Sequence, residues 1–213
     1  MFLNYRTCGK TKYRKGYYKN GNYDLQERKL MMMKDAVLII DMVNDFVTGK
    51  FKNERAQKIV PAIQKLIGAA HEHNVPVIYC SDSHLPADFE LKIWGEHCMK
   101  NTWGAQIIPE LTPQKDDFSL CKRTYCAFFQ TGLDSLLREL EVENIILTGV
   151  VTDICVTNTV AAGFFNGYQE IVPPETTEPL KAETKQRDLD YMQNNYQANI
   201  MPFDKVIERW KTK

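Results

Sequence analysis

The chain has 213 residues, of which 44% are hydrophobic and 25% charged, a composition that is ordinary for one globular domain. Basic and acidic residues number 27 each, so the zero net charge gives no electrostatic reason to expect nucleic acid or a membrane surface as a partner. The six cysteines follow no compact spacing pattern, and no secretory leader or membrane-length apolar run is recognisable, so we expect reduced thiols in a cytoplasmic protein.

The first 32 residues differ in composition from the rest of the chain. They are rich in Lys, Arg, Tyr, Asn and Gly and contain almost no aliphatic side chains that could form a core. We therefore predict a disordered basic extension over residues 1–32 and a single domain over residues 33–213.

Short apolar runs alternate with helical patterns from Met33 onward. The predicted strands are 35–41, 75–80, 117–122, 144–151, 168–174 and 198–203. The predicted helices are 56–73, 133–140, 155–167 and 182–196. This alternation predicts a three-layer α/β/α fold in which helices cover both faces of a central, mostly parallel six-stranded sheet.

Residues with reactive side chains follow four of the predicted strands. Asp41 follows the first strand, Asp82 and His84 the second, Lys122 ends the third, and the segment 151–155 follows the fourth. Sites in parallel sheets form beyond the carboxyl ends of the strands, so we expect these side chains to converge on one edge.

Cys155 is the candidate nucleophile of this group. A thiol attacks carbonyl groups as the thiolate, and a cysteine at the start of a helix lies where backbone N–H groups favour negative charge. Asp41 could accept the thiol proton, Lys122 could hold Asp41, and the N–H groups of Val151 and Cys155 could form an oxyanion hole. Taken singly, each residue has an ordinary structural explanation: a buried cysteine, a capping aspartate and a surface lysine. Their common position after successive strands favours the functional interpretation.

A second group of residues has the chemistry of a metal site. Asp82, His84, Glu90 and His97 supply two imidazoles and two carboxylates, which suit Zn²⁺, Mn²⁺ or Fe²⁺. The alternative is that the two histidines only form hydrogen bonds within the loop.

Four segments carry a resemblance to a known family. They are LIIDMVNDF (38–46), DSH (82–84) together with WGEHCMKNTWGAQ (94–106), KRTYCAF (122–128) and GVVTDICV (149–156). Through them, residues 36–203 resemble the isochorismatase-like cysteine hydrolases, and within these the nicotinamidases most closely.

The resemblance implies a fold, a mechanism and a cofactor. Asp41, Lys122 and Cys155 would hydrolyse nicotinamide to nicotinate and ammonia through a thioester, and the peptide bond between Val150 and Val151 would be cis. Asp82, His84, Glu90 and His97 would hold a divalent metal, with Zn²⁺ favoured over Mn²⁺ or Fe²⁺. Phe46 and Trp94 would sandwich the substrate ring, with Tyr125 as a further wall. The expected partners are a small amide substrate and further copies of the chain in a homo-oligomer.

Two other functions remain open. An amidase that acts on N-carbamoyl or ureido compounds, such as N-carbamoylsarcosine, would use the same nucleophile in a metal-free pocket lined by arginine. A non-catalytic member would keep the pocket only to bind a ligand, and the intact set of Asp41, Lys122 and Cys155 argues against it.

Overall fold

A parallel β-sheet forms the centre of the structure, a computed structural model in which residues 34–211 are described. Its strands are β1 Asp35–Ile40, β2 Val77–Asp82, β3 Phe118–Lys122, β4 Asn144–Val150, β5 Gln169–Val172, β6 Thr177–Glu178 and β7 Asn199–Ile200. The strand order is β3-β2-β1-β4-β5-β7, and β6 pairs with the end of β4. Every strand pair is parallel. The predicted fold class is therefore confirmed, and β6 is a short seventh strand beyond the six predicted.

Residues 34–211 contain seven α-helices beside the sheet. They are α1 Asn44–Val47, α2 Glu54–Glu72, α3 Leu91–Trp94, α4 Leu133–Glu139, α5 Thr157–Asn166, α6 Lys185–Tyr196 and α7 Phe203–Lys211. Helices α2 and α7 share a hydrophobic core with one face of the sheet, and α4, α5 and α6 share a second core with the other face. Successive residues of β1 alternate between these two cores, so the central strands are apolar on both sides.

The last helix, α7, is absent from the sequence-based prediction, which ended with a strand over residues 198–203. The strand ends at Ile200, and Phe203 begins a helix whose Val206 and Trp210 are buried at i, i+4 spacing. Trp210 Nε1 donates a hydrogen bond of 2.7 Å to Asp35 Oδ2, which ties the end of the domain to its first strand.

The carboxyl ends of the central strands lie level with one another. Ile40 pairs with both Cys80 and Gly149 across β1, and Asp82 pairs with Lys122 across β2 and β3. Gly149 has φ +103°, and a Cβ placed there would lie 1.9 Å from Ile40 O, so only glycine lets β1 and β4 approach this closely. The residues that follow these strands are thereby brought to one place.

The predicted extension over residues 1–32 lies outside the described part of the chain. Within residues 34–211, no helix combines the length and the apolar character needed to cross a bilayer.

Candidate active site and metal centre

Lys122 stands at the centre of the candidate site, with a carboxylate on either side. Its Nζ donates to Asp82 Oδ1 at 2.6 Å and lies 2.7 Å from Asp41 Oδ2. All three side chains are buried. Asp41 Oδ1 also accepts the backbone N–H of Asp82 at 2.8 Å, so the ends of β1 and β2 are joined directly.

Asp41 is held in a strained and unusual environment. Its φ of +54° turns the chain sharply at the end of β1, a conformation that aspartate adopts more readily than most residues. Burial and the neighbouring Asp82 carboxylate raise the pKa of Asp41 to about 7, although the Lys122 ammonium opposes the rise. A carboxylate with a raised pKa is a stronger base, which suits a group that must accept a proton from a thiol.

Cys155 lies beside this ion pair, with Sγ 3.8 Å from Lys122 Nζ. The sequence predicted that Cys155 is the first residue of a helix, and this is wrong in detail. Cys155 belongs to a π-helical turn, Thr152–Val156, and α5 begins only at Thr157. Burial, only partly offset by Lys122, raises the pKa of the Cys155 thiol well above its usual value. A nucleophilic role for this thiol would therefore require a nearby base that accepts its proton.

The candidate base and the candidate oxyanion-hole residues lie around the thiol. Cys155 Sγ and carboxylate oxygens of Asp41 and Asp82 lie within 4.8 Å of one another. The peptide bond between Val150 and Val151 is cis, as the family resemblance implied. Val151 and Cys155 both line a cavity that opens over the thiol.

The four predicted metal ligands also come together. One ligand atom from each of Asp82, His84, Glu90 and His97 lies within 4.8 Å of the others, and all four residues are buried. His84 Nε2 is 3.6 Å from Asp82 Oδ2 and 3.8 Å from Glu90 Oε1, and His97 Nε2 is 3.9 Å from Glu90 Oε1. The edges of a tetrahedral zinc site with bonds of about 2.1 Å are roughly 3.4 Å, so small movements would complete the geometry.

Unsatisfied polar atoms strengthen the case for a cation at this cluster. Asp82 Oδ2, His84 Nε2 and Glu90 Oε2 are buried and have no hydrogen-bond partner. Buried polar atoms are rarely left unpaired, and a metal ion would accept the lone pairs of these oxygen and nitrogen atoms. Asp41, Asp82 and Cys155 also cluster, but the Lys122 ammonium already supplies their positive charge. The histidine cluster is therefore the one whose donor set fits a metal.

The three predicted wall residues all line the cavity. It has a volume of about 490 Å³ including its open mouth. Phe46 stacks on Phe51 at 5.7 Å, and Trp94 Nε1 donates to Tyr125 Oη at 2.8 Å. Phe46 and Trp94 thus lie in the same aromatic enclosure as the candidate metal ligand His97, whose ring is 5.7 Å from that of Phe46.

The sequence matches the isochorismatase domain family over residues 35–203. The chain belongs to the isochorismatase family. It is 31% identical to the isochorismatase family protein YaaI of Bacillus subtilis over 82% of this chain and 97% of the relative. It is 26% identical to the ureidoacrylate amidohydrolase RutB of Pseudomonas syringae over 71% of this chain and 74% of the relative.

Solved structures of isochorismatase-like hydrolases are also similar to this chain in sequence and in fold. The N-carbamoylsarcosine amidase of Thermoplasma acidophilum has 34% identity and a TM-score of 0.77, with 81% of this chain and 98% of that chain covered. The nicotinamidase/pyrazinamidase PncA of Bacillus subtilis has 28% identity and a TM-score of 0.75, with coverage of 79% and 99%. RutB is named as an amidohydrolase and the two solved structures as amidases, whereas YaaI carries only the family name.

Four further residues of this isochorismatase-family cavity were missed by the sequence analysis: Phe51, Asn53, Ile154 and Leu180. Ile154 precedes Cys155 within the segment GVVTDICV, so its place near the thiol could have been predicted. Phe51, Asn53 and Leu180 lie in connecting segments with no periodic pattern, so no sequence signal pointed to them. None of the described residues that line the cavity is arginine or lysine.

Proposed function

We propose that this isochorismatase-family chain is a nicotinamidase, which hydrolyses nicotinamide to nicotinate and ammonia. The observation that carries the proposal is the position of the unsatisfied four-ligand cluster. Its Asp82, Glu90 and His97 share one aromatic cavity with Cys155. A flat pyridine carboxamide would fit such a cavity, with its ring between aromatic walls and its amide at the thiol.

The chemical steps use residues at the ends of β1 and β4. Asp41 accepts the proton of Cys155 as Sγ bonds to the carboxamide carbon, and the oxyanion accepts hydrogen bonds from the N–H groups of Val151 and Cys155. Such a donor contributes about 3 kcal/mol to transition-state stabilisation. Asp41 then returns the proton to the departing nitrogen, ammonia leaves, and a thioester remains. A water molecule, deprotonated by Asp41, cleaves the thioester, and the thiol is regenerated.

Asp82, His84, Glu90 and His97 would hold the divalent ion. When bound, the ion would act as a Lewis acid that orients the substrate through its ring nitrogen. Lowering of the pKa of His97, mainly by burial, keeps that imidazole in the neutral form that a metal requires. Zn²⁺, Mn²⁺ and Fe²⁺ all accept imidazole and carboxylate ligands, and we keep Zn²⁺ as the working assignment.

A second candidate is an amidase for N-carbamoyl or ureido compounds. It is favoured by the similarity to the N-carbamoylsarcosine amidase and to RutB. N-carbamoylsarcosine and ureidoacrylate each carry a carboxylate, however, and no described cavity-lining residue is an arginine or lysine that could pair with it. The neutral nicotinamide avoids this desolvation cost.

The decisive experiment compares ammonia release from nicotinamide, benzamide and N-carbamoylsarcosine, with and without a chelator. We expect nicotinamide to be the preferred substrate, and we expect its hydrolysis to fall on metal removal. Benzamide has no ring nitrogen, so its slow hydrolysis should respond much less. Preferential hydrolysis of N-carbamoylsarcosine that is insensitive to chelators would contradict the proposal and support the second candidate. Ammonia release from none of them would support a ligand-binding protein.

The expected homo-oligomer is independent of this chemistry. Light scattering coupled to size-exclusion chromatography measures it directly, and a monomer at micromolar concentration would contradict it.

A further inference from the structure

Asp88 is a buried carboxylate next to the candidate metal centre, and it is not one of the four ligands. Its Oδ2 is 3.2 Å from His84 Nδ1 and accepts the backbone N–H of Leu85 at 2.9 Å. Its Oδ1 accepts hydrogen bonds from Arg123 Nε at 2.9 Å and from Arg123 Nη2. Both carboxylate oxygens are therefore fixed by donors from two different segments.

This arrangement determines which nitrogen of His84 carries a proton. Asp88 accepts two hydrogen bonds from a guanidinium, so it is ionised and can only accept from the imidazole. In the neutral imidazole, the proton of His84 then lies on Nδ1, and the lone pair of Nε2 points at Asp82 and Glu90.

His97 reaches the same orientation by a different route. Its Nδ1 is 2.8 Å from the carbonyl oxygen of Gly95, an atom that can only accept a hydrogen bond. In their neutral forms, both imidazoles therefore present an unprotonated Nε2 to the cluster. His97 is fixed by its own loop, whereas His84 depends on a side chain held from β3.

We propose that Asp88 is a positioning residue that fixes the tautomer and orientation of His84 for metal binding, with Arg123 as its anchor. The proposal rests on the metal centre of the proposed function. Arg123 directly follows Lys122, so the end of β3 supports both parts of the site: Lys122 contacts Asp41 and Asp82, and Arg123 holds Asp88.

The test measures Zn²⁺ affinity of the metal-free protein by competition with a chromogenic chelator. For Asp88→Asn, which preserves shape, we expect 10- to 100-fold weaker binding, as is typical when the hydrogen-bond partner of a ligating histidine is removed. The matched control is Asp117→Asn, because the Asp117 side chain is only 4% exposed and pairs with His71 Nε2 at 2.8 Å far from the cluster. The control should bind Zn²⁺ like the wild type.

A second measurement separates positioning from general stability. Nitrogen chemical shifts report the tautomer of each of the four histidines in the metal-free protein at about pH 9. We expect His84 to carry its proton on Nδ1 in the wild type and to populate the Nε2-protonated form in Asp88→Asn. If Asp88→Asn is poorly folded, Arg123→Gln removes the anchor from a side chain that is 57% exposed and should weaken Zn²⁺ binding less strongly.

The outcomes distinguish this proposal from the proposed function. Unchanged Zn²⁺ affinity and an unchanged His84 tautomer in Asp88→Asn would overturn the role of Asp88 while leaving the metal centre intact. If the wild type binds no Zn²⁺, Mn²⁺ or Fe²⁺, the proposed metal centre fails. The tautomer measurement would then still decide whether Asp88 orients His84.

Discussion

Asp82 belongs to both halves of the site through its two oxygens. Oδ1 accepts from Lys122, and Oδ2 faces His84 in the candidate metal cluster. Burial alone would raise the pKa of Asp82, but Lys122 and His84 outweigh burial and lower it, so this carboxylate stays ionised. One side chain can therefore couple the charge of a bound cation to the ion pair that surrounds the thiol.

Replacement of Cys155 by alanine should remove turnover without loss of the fold. The side chain is almost fully buried but small, so the substitution deletes the nucleophile and little packing. We expect kcat/KM for the preferred amide to fall at least 100-fold, equivalent to about 2.7 kcal/mol. Cys80→Ala, at an equally buried thiol in β2, is the control and should retain activity. A Cys155→Ala enzyme with more than a hundredth of wild-type activity would exclude the covalent mechanism.

Lys122 should also be essential for stability, because it neutralises two buried carboxylates. Lys122→Met keeps the length of the side chain but leaves Asp41 and Asp82 without their cation. Breaking such a buried pair typically costs about 3–5 kcal/mol in the free energy of unfolding. Urea unfolding at neutral pH measures the loss, and Lys34→Met at the exposed pair with Glu141 is the control, with little change expected. Equal stability of Lys122→Met and wild type would show that the ion pair is dispensable.

At the residue scale, sequence could predict the reactive groups but not the whole cavity. Asp41, Asp82, Lys122 and Cys155 converge because parallel strands end at one edge, a relation that strand assignment alone supplies. The packing of Leu180 against that edge depends on a long-range chain path, which no local pattern encodes. The high pKa of the Cys155 thiol likewise arises from burial by distant segments.

At the scale of secondary-structure elements, α5 packs against β4 and β5 through a position without a side chain. A Cβ on Gly163 would lie 2.8 Å from Glu170 Oε1 and 2.9 Å from Ile145 Cδ1. Glycine at this helical position therefore sets how closely α5 approaches the sheet, and with it the place of the preceding turn that carries Cys155.

Two glycine-to-alanine substitutions should act in opposite directions. Gly163→Ala should destabilise the protein by about 1–3 kcal/mol, because neighbouring side chains must shift to admit the methyl group. Gly68→Ala lies in α2 with nothing within 4 Å of the new Cβ and should stabilise by about 0.4–1 kcal/mol. Chemical unfolding of both variants measures the difference. A shift of the same sign in both would contradict this account of the α5 contact.

Glu170 on β5 should give the protein a pH-dependent stability. Burial raises the pKa of Glu170 to about 8 from a usual value of 4.5. The folded state thus retains a proton that the unfolded chain releases, and stability falls as pH rises from about 4.5 to about 8. Glu170→Gln should remove this decline and become more stable than wild type by a few kcal/mol near pH 8. Glu139→Gln, on the exposed side of α4, is the control and should leave the dependence of stability on pH unchanged. If the stability of Glu170→Gln declined with pH as steeply as that of the wild type, the raised pKa of Glu170 would be contradicted.

At the scale of the whole molecule, the fold was predictable because the central strands are apolar on both faces. The alternation of such runs with amphipathic helices specified the three layers, and the structure confirms them. The edge strand β3 gave a weaker signal, because its residues alternate between partly buried and exposed. Strand β6 has only two residues, which are too few to show an alternation of apolar and polar side chains in the sequence.

Removal of residues 1–32 should leave the domain intact. Asp41 is the first candidate site residue along the chain, and the family match begins at residue 35. A chain that begins at Met33 should therefore keep wild-type kcat/KM and thermal midpoint. A chain that begins at Val37 should lose stability, because it lacks the Lys34 carbonyl that accepts from Glu143 and Asn144 and the Asp35 carboxylate that binds Trp210. Thermal unfolding compares the three, and a lower midpoint for the Met33 chain would assign a structural role to the extension.

Part of the cavity wall comes from segments of the chain that carry none of the reactive groups. Phe51 and Leu180 lie in connecting segments, whereas Asp41 and Lys122 are anchored to the ends of β1 and β3. Insertions and substitutions in those segments can reshape the entrance while the proton-transfer geometry stays constant. Such a division makes the scaffold evolvable, since one hydrolytic core can acquire new amide substrates by exchange of its loops. A directed-evolution library aimed at substrate range should accordingly vary the segments around residues 51 and 180 and leave the strand ends unchanged.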